Sequence, residues 1–275
     1  MKLQVYEEIS SAIRAEHSVE WLGKVAARYP KTILATLNSI GSQIRRRDTL
    51  RSLHTHRRPN VMMDYYKRYL ASKQDKESKV LLSMAEEVSL APTLLARIIL
   101  EKHANESRDS SIKPQINSWI KNPASIPDTH LAEEVQHCTQ NDPDFGPDAV
   151  EERRQIGNKY EAILKEKLDA HELCYLGEDA MRKLGYDKTP DAKMEVPFAV
   201  CGHIINWVES KALFGDPESH KQYLNDQYWA YLNRFGSGLV IYWFGFIDEL
   251  DVHQDKGIML RDTFPSSSEI LTMPV

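Results

Sequence analysis

The first 120 residues carry apolar side chains every three or four positions, which is the repeat of one face of an α-helix. Two such runs, residues 19–29 and 32–44, are separated by Pro30, and two more, residues 80–88 and 92–102, are separated by a short turn. A proline at position 92 suits the first turn of a helix, because that position needs no backbone N–H. The pattern therefore predicts a helical N-terminal region built from helix pairs.

The C-terminal half has a different pattern. Apolar residues at helical spacing predict helices over residues 156–168 and 224–235, the second ending at Gly236. Residues 203–211 are predicted to form a strand, and residues 238–246 are apolar without alternation, which is typical of a strand covered on both faces. The order helix, strand, strand, helix, strand predicts a compact α/β core around a mixed central sheet.

The boundary between these two regions is predicted from turn-forming residues. Residues 140–148 contain Pro143, Gly146 and Pro147, the strongest linker signal in the chain. With 275 residues, the chain has room for two domains. We therefore predict a helical region over residues 1–140 and an α/β domain over residues 149–275.

Candidate chemistry lies where the predicted strands begin and end. Asp191 would begin one strand, and Glu209 and Lys211 lie on the next, where side chains two residues apart project from one face. Ser210 faces the other way, but its backbone carbonyl is an oxygen ligand. Mg²⁺ prefers oxygen ligands, so Asp191, Glu209 and the Ser210 carbonyl are the predicted metal ligands. With Lys211 beside a bound water, this set predicts hydrolysis of a phosphodiester.

The individual motifs are common, and the flanking helices give them context. An acidic-x-Lys triplet occurs three times and Pro-Asp four times. Glu161 follows Gly157 by one helical turn, where Gly157 would let the backbone approach closely, and Gln227 lies on the inward side of the second helix. Simpler interpretations stay open: an exposed ion pair on an edge strand, Asp191 in a turn, a solvated Glu161 and a structural Gln227. His203 either lies near the site or is buried and satisfied.

Four motifs follow one another along the chain, namely Gly157-x-x-x-Glu161, Pro190-Asp191, Glu209-x-Lys211 and the helix that contains Gln227. Together they resemble the PD-(D/E)xK nuclease superfamily, in the branch similar to archaeal Holliday-junction resolvases. Residues 185–191, 202–212 and 233–243 look more closely like the TPD-motif family of codanin-interacting nucleases. This resemblance is specific from about residue 157 to residue 264 and looser over the rest of the chain.

The resemblance implies a restriction-endonuclease-like fold, Mg²⁺ or Mn²⁺ as cofactor, and cleavage of nucleic acid, with structured DNA as the favoured substrate. By the same resemblance, Asp191 and Glu209 are metal ligands and Lys211 is the catalytic lysine. Glu161 is then an accessory carboxylate and Gln227 a fifth member of the site.

The resemblance also implies a protein partner. That partner is a codanin-like protein, and the family is implicated in erythroid differentiation and dyserythropoietic anaemia. An alternative from a different functional class is an adaptor with weak or no catalytic activity. Such an adaptor would bind codanin and link to histone-chaperone handling in chromatin.

Charge is unevenly distributed along the chain. Residues 1–120 carry 20 Lys and Arg against 13 Asp and Glu, and the remaining 155 residues carry 15 against 27. The basic part contains several tyrosines, so it either contacts phosphates and stacks on bases or forms a solvated helical surface. The candidate nucleic-acid-binding residues are Arg45, Arg46, Arg47, Arg57, Arg58, Lys67 and Arg68.

The N-terminal helix pairs resemble helix-turn-helix units, in which the second helix enters a major groove. Residues 92–102 are too apolar for that whole helix to read bases. Three interpretations stay open: DNA-reading units within a nuclease, a module for packing or partner binding, and a regulator that binds specific duplex DNA through these pairs alone.

The cysteines and the hydropathy argue against several classes of protein. Cys138, Cys174 and Cys201 lie far apart and in no Cys-x-x-Cys spacing, which argues against a disulfide framework or a zinc cluster. No apolar run approaches the ~20 residues that span a bilayer, and the first residues lack a signal-peptide core. We expect an intracellular protein of the nucleus and cytoplasm, with no membrane partner.

Overall fold

A computed structural model describes residues 1–16, 20–75, 79–106 and 115–272. Residue 19, the first of the predicted helix over residues 19–29, lies outside these ranges. Within them, the chain combines a helical N-terminal region with a six-stranded mixed sheet, as predicted. No helix in the described ranges is long and apolar enough to cross a bilayer. The helices are α1 (Leu3–Ala15), α2 (Trp21–Arg28), α3 (Leu34–His56), α4 (Pro59–Asp75), α5 (Val80–Glu87), α6 (Pro92–Glu106), α7 (Ile116–Lys121), α8 (Thr129–Gln140), α9 (Pro147–Ala170), α10 (Glu178–Lys183), α11 (Pro217–Tyr223) and α12 (Trp229–Phe235).

Spatial contacts divide the chain into two compact units. One, the sheet unit, contains Met1–Gly41 and Gln155–Val275, and the other, the helical unit, contains Ser42–Arg154. The boundaries fall inside α3 and α9, whereas the sequence predicts one division at residues 140–149. The two divisions therefore differ in where they place the first 41 residues.

Contacts between distant residues place this N-terminal segment in the sheet unit. Tyr6 stacks on Phe214 with ring centroids 5.8 Å apart. Thr36 Oγ1 donates to the Phe244 carbonyl at 2.7 Å. Local periodicity carries no information about such pairs, because it reports only which face of a helix is apolar.

The helical unit has its own core, and α6 runs through it. The predicted helices over residues 80–88 and 92–102 are present as α5 and α6. Leu95, Ile98 and Ile99 of α6 are fully buried. Glu134 is also buried and accepts the N–H groups of Lys79 at 2.5 Å and Leu81 at 2.8 Å, which satisfies the first turn of α5. The apolar face of α6 therefore packs inside this unit.

The sheet has the strand order β1-β2-β3-β4-β5, with β6 paired to β2. The pairs β1–β2, β2–β3 and β2–β6 are antiparallel, and β3–β4 and β4–β5 are parallel. Residues 203–211 form a strand, as predicted. The strands are β1 (Tyr175–Gly177), β2 (Ala192–Val200), β3 (His203–Lys211), β4 (Gly238–Tyr242), β5 (Ile258–Arg261) and β6 (Ile270–Thr272).

Strand β4 is shorter than the apolar run that predicts it. All five of its residues are buried, but the chain turns after Tyr242 and Gly245 has a φ of +84°. The next two residues, Trp243 and Phe244, lie beyond the strand, and both rings pack against the Tyr160 ring of α9 with centroids 5.3 Å apart. The first part of the apolar run therefore forms the strand, and the next part packs against α9.

Helices cover both faces of the sheet. Alternate side chains of β3 point to opposite faces, so Val208 packs with Leu164 of α9, and Trp207 packs with Tyr228 and Tyr231 on the other face. The predicted helix over residues 224–235 is present as a π-helical turn at Leu224–Tyr228 followed by α12. This arrangement brings α9 to one face and the π-helical turn to the other.

Close packing between β3 and β4 gives a test of this fold. A Cβ atom at Gly238 would lie 2.1 Å from Cε2 of the buried Trp207 ring. We expect Gly238→Ala to lower the free energy of unfolding by about 3 kcal/mol, because overpacking a closed core forces side chains out of place. Urea denaturation followed by tryptophan fluorescence measures this change.

The matched control is Gly23→Ala in α2, where an added Cβ meets no atom within 4 Å. Alanine is the better helix former, so this variant should gain about 0.5–1 kcal/mol. Equal unfolding midpoints for the two alanine variants would contradict the packing that the structure describes.

Candidate functional site

The register of β2 and β3 brings two distant carboxylates together. Ala192 is paired with Val208, so Asp191, just before β2, lies opposite Glu209. Two hydrogen bonds fix this arrangement. The Asp191 N–H donates to Glu209 Oε2 at 3.3 Å, and the Ser210 N–H donates to Asp191 Oδ2 at 2.7 Å. The Ser210 side chain faces away, where its hydroxyl accepts the Trp243 indole N–H at 2.8 Å.

Lys211 lies on the same face as Glu209, as the alternation of strand side chains predicts. Its ammonium donates to Glu209 Oε1 at 2.5 Å and to Gln227 Oε1 at 2.9 Å. Gln227 reaches this point from the π-helical turn on that face of the sheet. The structure therefore brings Asp191, Glu209, Lys211 and Gln227 into one connected group.

Glu161 is less tightly connected to this group. It lies on α9, and its negative charge contributes to a raised pKa at Asp191. Among the described residues, no hydrogen bond joins it to Asp191. The expected close approach at Gly157 is wrong, because a Cβ added there meets no atom within 4 Å. His203 is at the opposite end of β3 from Glu209 and is only partly buried, so neither interpretation given for it holds.

Burial and like charge dominate the electrostatics of the site. Burial, and then the nearby Glu209 charge, raise the pKa of Asp191 to about 8. Glu209 is only 4% exposed, and burial raises its pKa too, although Lys211 opposes this shift. Burial disfavours the ammonium of Lys211, but the Glu209 charge and hydrogen bond outweigh it and raise the Lys211 pKa. Two acids thus share one cationic partner.

Three further residues surround the acids. Tyr231 is buried, and its hydroxyl donates to the Thr189 carbonyl at 2.8 Å, which holds the segment before Asp191. The Thr189 hydroxyl donates to Glu178 Oε1 at 3.4 Å. The Glu178 charge also contributes to the raised pKa of Glu209. No motif in the sequence indicates Glu178, whereas Thr189 directly precedes the Pro190-Asp191 motif.

The chemistry of the donors fits a hard divalent cation. Asp191 and Glu209 present carboxylate oxygens side by side, and no donor in the described part of the chain is bonded to Asp191 Oδ1. A divalent cation would favour the charged form of both buried acids and offset the Glu209 charge that raises the Asp191 pKa. In the described ranges, no group of three or more His, Cys, Asp or Glu side chains forms a metal cluster. Two carboxylates with a backbone carbonyl and solvent are therefore the available ligands.

Six of the seven candidate nucleic-acid-binding residues divide into two sets, and Arg47 also has an interaction within the protein. Arg45 donates to Asp144 at 2.6 Å. Arg57 donates to Glu101 at 2.8 Å, and Arg68 forms two hydrogen bonds to Glu87. In the described ranges, no ion pair is found for the side chains of Arg46, Arg58 and Lys67.

The neighbouring tyrosines do not form a base-stacking surface. Tyr65, Tyr66 and Tyr69 are buried in the core of the helical unit, with Tyr69 fully enclosed. The alternative in which these tyrosines stack on bases is therefore wrong. Their spacing in the sequence is that of the inward face of α4.

The raised pKa of Asp191 predicts a pH-dependent stability for the metal-free protein. Between the usual aspartate pKa of 3.8 and about 8, the unfolded chain has lost this proton while the folded chain retains it. Ionisation therefore destabilises the folded state as the pH rises through this window. With EDTA present, we expect Asp191→Asn to match wild type in melting temperature near pH 4 and to exceed it increasingly towards pH 8.

Asp187→Asn is the control, because Asp187 is exposed and its hydrogen bond from Arg234 lowers its pKa. This variant should show no gain at pH 8. Parallel melting curves for wild type and Asp191→Asn across the whole range would contradict the buried, like-charged site.

A family model described as "Protein of unknown function TPD sequence-motif" matches residues 127–264, which include Thr189-Pro190-Asp191, Glu209 and Lys211. No solved structure matches the chain.

Curated relatives match nearly the whole chain. The Xenopus laevis protein is 42% identical over 269 residues, covering 97% of this chain and 89% of that protein. The Homo sapiens protein is 43% identical over 265 residues, covering 95% and 94%, and the Mus musculus protein is 44% identical over 272 residues, covering 98% and 96%. All three carry the name CDAN1-interacting nuclease 1. The chain therefore belongs to the CDAN1-interacting nuclease 1 family, whose TPD motif it carries.

Proposed function

We propose that this protein is a Mg²⁺- or Mn²⁺-dependent nuclease whose sheet unit has a restriction-endonuclease-like fold. The observation that carries this proposal is the pairing of Asp191 with Glu209 across two strands, with Lys211 bonded to Glu209 on the same face. The word nuclease in the names of its relatives supports the same reaction class. Two acids and an amine at one point suit hydrolysis of a phosphodiester.

The side chains take distinct roles in this reaction. Asp191 and Glu209 would hold the cation, with the Ser210 carbonyl as a further oxygen ligand. A bound divalent cation supplies positive charge to the phosphoryl oxygens and makes a bound water more acidic. Lys211 keeps its proton on Nζ and offsets negative charge that develops on the phosphate. Gln227 orients Lys211 through the hydrogen bond to its ammonium.

Structured or branched DNA is the proposed substrate, on the resemblance to junction-cleaving relatives in the wider superfamily. We propose Arg46, Arg58 and Lys67 as its phosphate contacts, since internal ion pairs already engage Arg45, Arg57 and Arg68. The buried apolar face of α6 favours packing over base reading for this helix pair. The helical unit would then contact the DNA backbone or a partner protein.

Removal of either acid or of the amine tests the nuclease directly. On labelled junction, flap and duplex DNA with Mn²⁺ or Mg²⁺, we expect Asp191→Asn, Glu209→Gln and Lys211→Met each to lower the cleavage rate by about 100-fold or more. EDTA should abolish cleavage by wild type. Cleavage of RNA junctions, flaps and duplexes, measured in the same way, shows whether the enzyme prefers DNA or RNA.

Asp187→Asn serves as the matched control, because it removes an exposed aspartate four positions before Asp191 and should leave the rate unchanged. Inactivity of wild type on every substrate would contradict the nuclease proposal. Full activity of Asp191→Asn would contradict the site.

We also propose that the protein binds a codanin partner, since the relatives are named as CDAN1-interacting. In the adaptor alternative, the protein binds codanin but cleaves nucleic acid weakly or not at all. Glu209 is almost fully buried, so Glu209→Gln should leave the outer surface unaltered. We expect this variant to bind purified codanin within about twofold of the wild-type Kd, measured by calorimetry. Absence of wild-type binding would contradict the partner, and tight binding with no cleavage would favour the adaptor.

A further inference from the structure

The ammonium of Lys211 has a third contact that neither the motifs nor the proposed reaction includes. A lysine ammonium carries three N–H donors. Glu209 Oε1 and Gln227 Oε1 accept two of them. On the remaining side, the Tyr223 ring lies with its centroid 4.5 Å from Nζ. This distance is within the range of a cation–π interaction.

The helix that bears Tyr223 is fixed at its start. Asp216, which is 1% exposed, caps α11 by accepting the N–H groups of Glu218 at 2.9 Å and Ser219 at 3.0 Å. Pro217 then occupies the first helical position. A helix anchored in this way places its last residue, Tyr223, at a defined point above the sheet.

Tyr223 and Gln227 contact the same ammonium because they lie on one face of the helix. Tyr223 is the last residue of α11, and Gln227 follows four positions later inside the π-helical turn Leu224–Tyr228. Residues four apart on a helix share one face. Single π-helical turns are uncommon and recur at functional sites, where they redirect side chains. Here the shared face is directed at Lys211.

A ring partner differs chemically from the two oxygen partners. The face of an aromatic ring attracts a cation through its quadrupole but carries no net charge and accepts no proton. The Lys211 side chain is 13% exposed, so the interaction is largely shielded from water, which strengthens it. Such a partner holds the ammonium in place without adding a third acid to a site that already contains two.

We propose that Tyr223 is a positioning residue that holds the Lys211 ammonium through the face of its ring. The proposal rests on the proposed nuclease function for its kinetic consequence, but not for the contact itself. A purely structural role is the competing explanation, because the Tyr223 ring also lies 6.0 Å from the ring of Tyr228. The two explanations differ in what the aromatic face contributes.

The kinetic test compares Tyr223→Phe with Tyr223→Leu. Phenylalanine retains the ring face and removes only the hydroxyl, whereas leucine retains apolar bulk and removes the ring. We expect Tyr223→Leu to lower kcat about tenfold with KM changed by less than about twofold, and Tyr223→Phe to keep kcat within about threefold of wild type. Equal loss in both variants would assign the effect to the hydroxyl and overturn the proposal, as would full kcat in Tyr223→Leu.

Tyr186→Leu is the matched control, because Tyr186 also lies against a cation, with Arg234 5.7 Å from its ring centroid, on an exposed part of the sheet unit. This variant should leave kcat unchanged. A similar loss of kcat in Tyr186→Leu would show that removal of any aromatic ring damages the unit and would remove the support for Tyr223.

A second measurement does not depend on cleavage. In protein labelled with [ε-¹³C]lysine, ring current should shift the Lys211 ε-methylene proton signal upfield, with Lys211→Met used for assignment. We expect the shift to persist in Tyr223→Phe and to disappear in Tyr223→Leu. An unshifted signal in wild type would overturn the contact. Loss of the nuclease function alone, with wild type inactive, would leave this shift in place.

Discussion

The antiparallel register between β2 and β3 is the constraint on which the site depends. It sets Asp191 against Glu209, and each acid is tied to the other strand by a backbone N–H. A shift of one residue would turn Glu209 and Lys211 to the face covered by α9 and break both hydrogen bonds. The buried neighbours Val208 and Trp207, which pack on opposite faces, oppose such a shift.

This register forces two like charges into a buried position. Burial raises the pKa of both acids, the Glu209 charge adds to the shift at Asp191, and Lys211 compensates only one negative charge. The site is therefore electrostatically unfavourable in the absence of further positive charge. Strained electrostatics of this kind are common at sites that bind ions or perform catalysis, because the missing charge is supplied by the ligand.

Different groups approach the paired acids and Lys211 from the two faces of the sheet. The face packed by the π-helical turn provides Gln227 and the Tyr223 ring, which surround the Lys211 ammonium. From the face packed by α9, the charge of Glu161 acts on Asp191 at the strand end. The amine is thus held by two neutral contacts and one acid, whereas the carboxylates remain close to each other.

Several features followed from the sequence because they depend on local pattern. Apolar spacing predicted α5, α6 and α9, and strand alternation placed Glu209 and Lys211 on one face of β3. The pattern was less informative for the end of β4, since the apolar residues Trp243 and Phe244 lie beyond the strand and pack against Tyr160 of α9. It also gave no indication of the π-helical turn, because apolar residues three and four apart fit a plain α-helix equally well.

Residues that reach the site from distant parts of the chain were identified only in the tertiary structure. Glu178 and Tyr223 carry no motif, and they reach the site through strand pairing and helix packing. The burial of the α4 tyrosines and the packing of the N-terminal segment in the sheet unit also depend on contacts between residues far apart in the sequence. Periodicity and residue type are local properties, so the pattern of residues was enough to predict most helices, strand β3 and the two acids and the lysine of the site. Which of these groups meet depends on register and packing, which join residues that are far apart along the chain, so those contacts emerged with the fold.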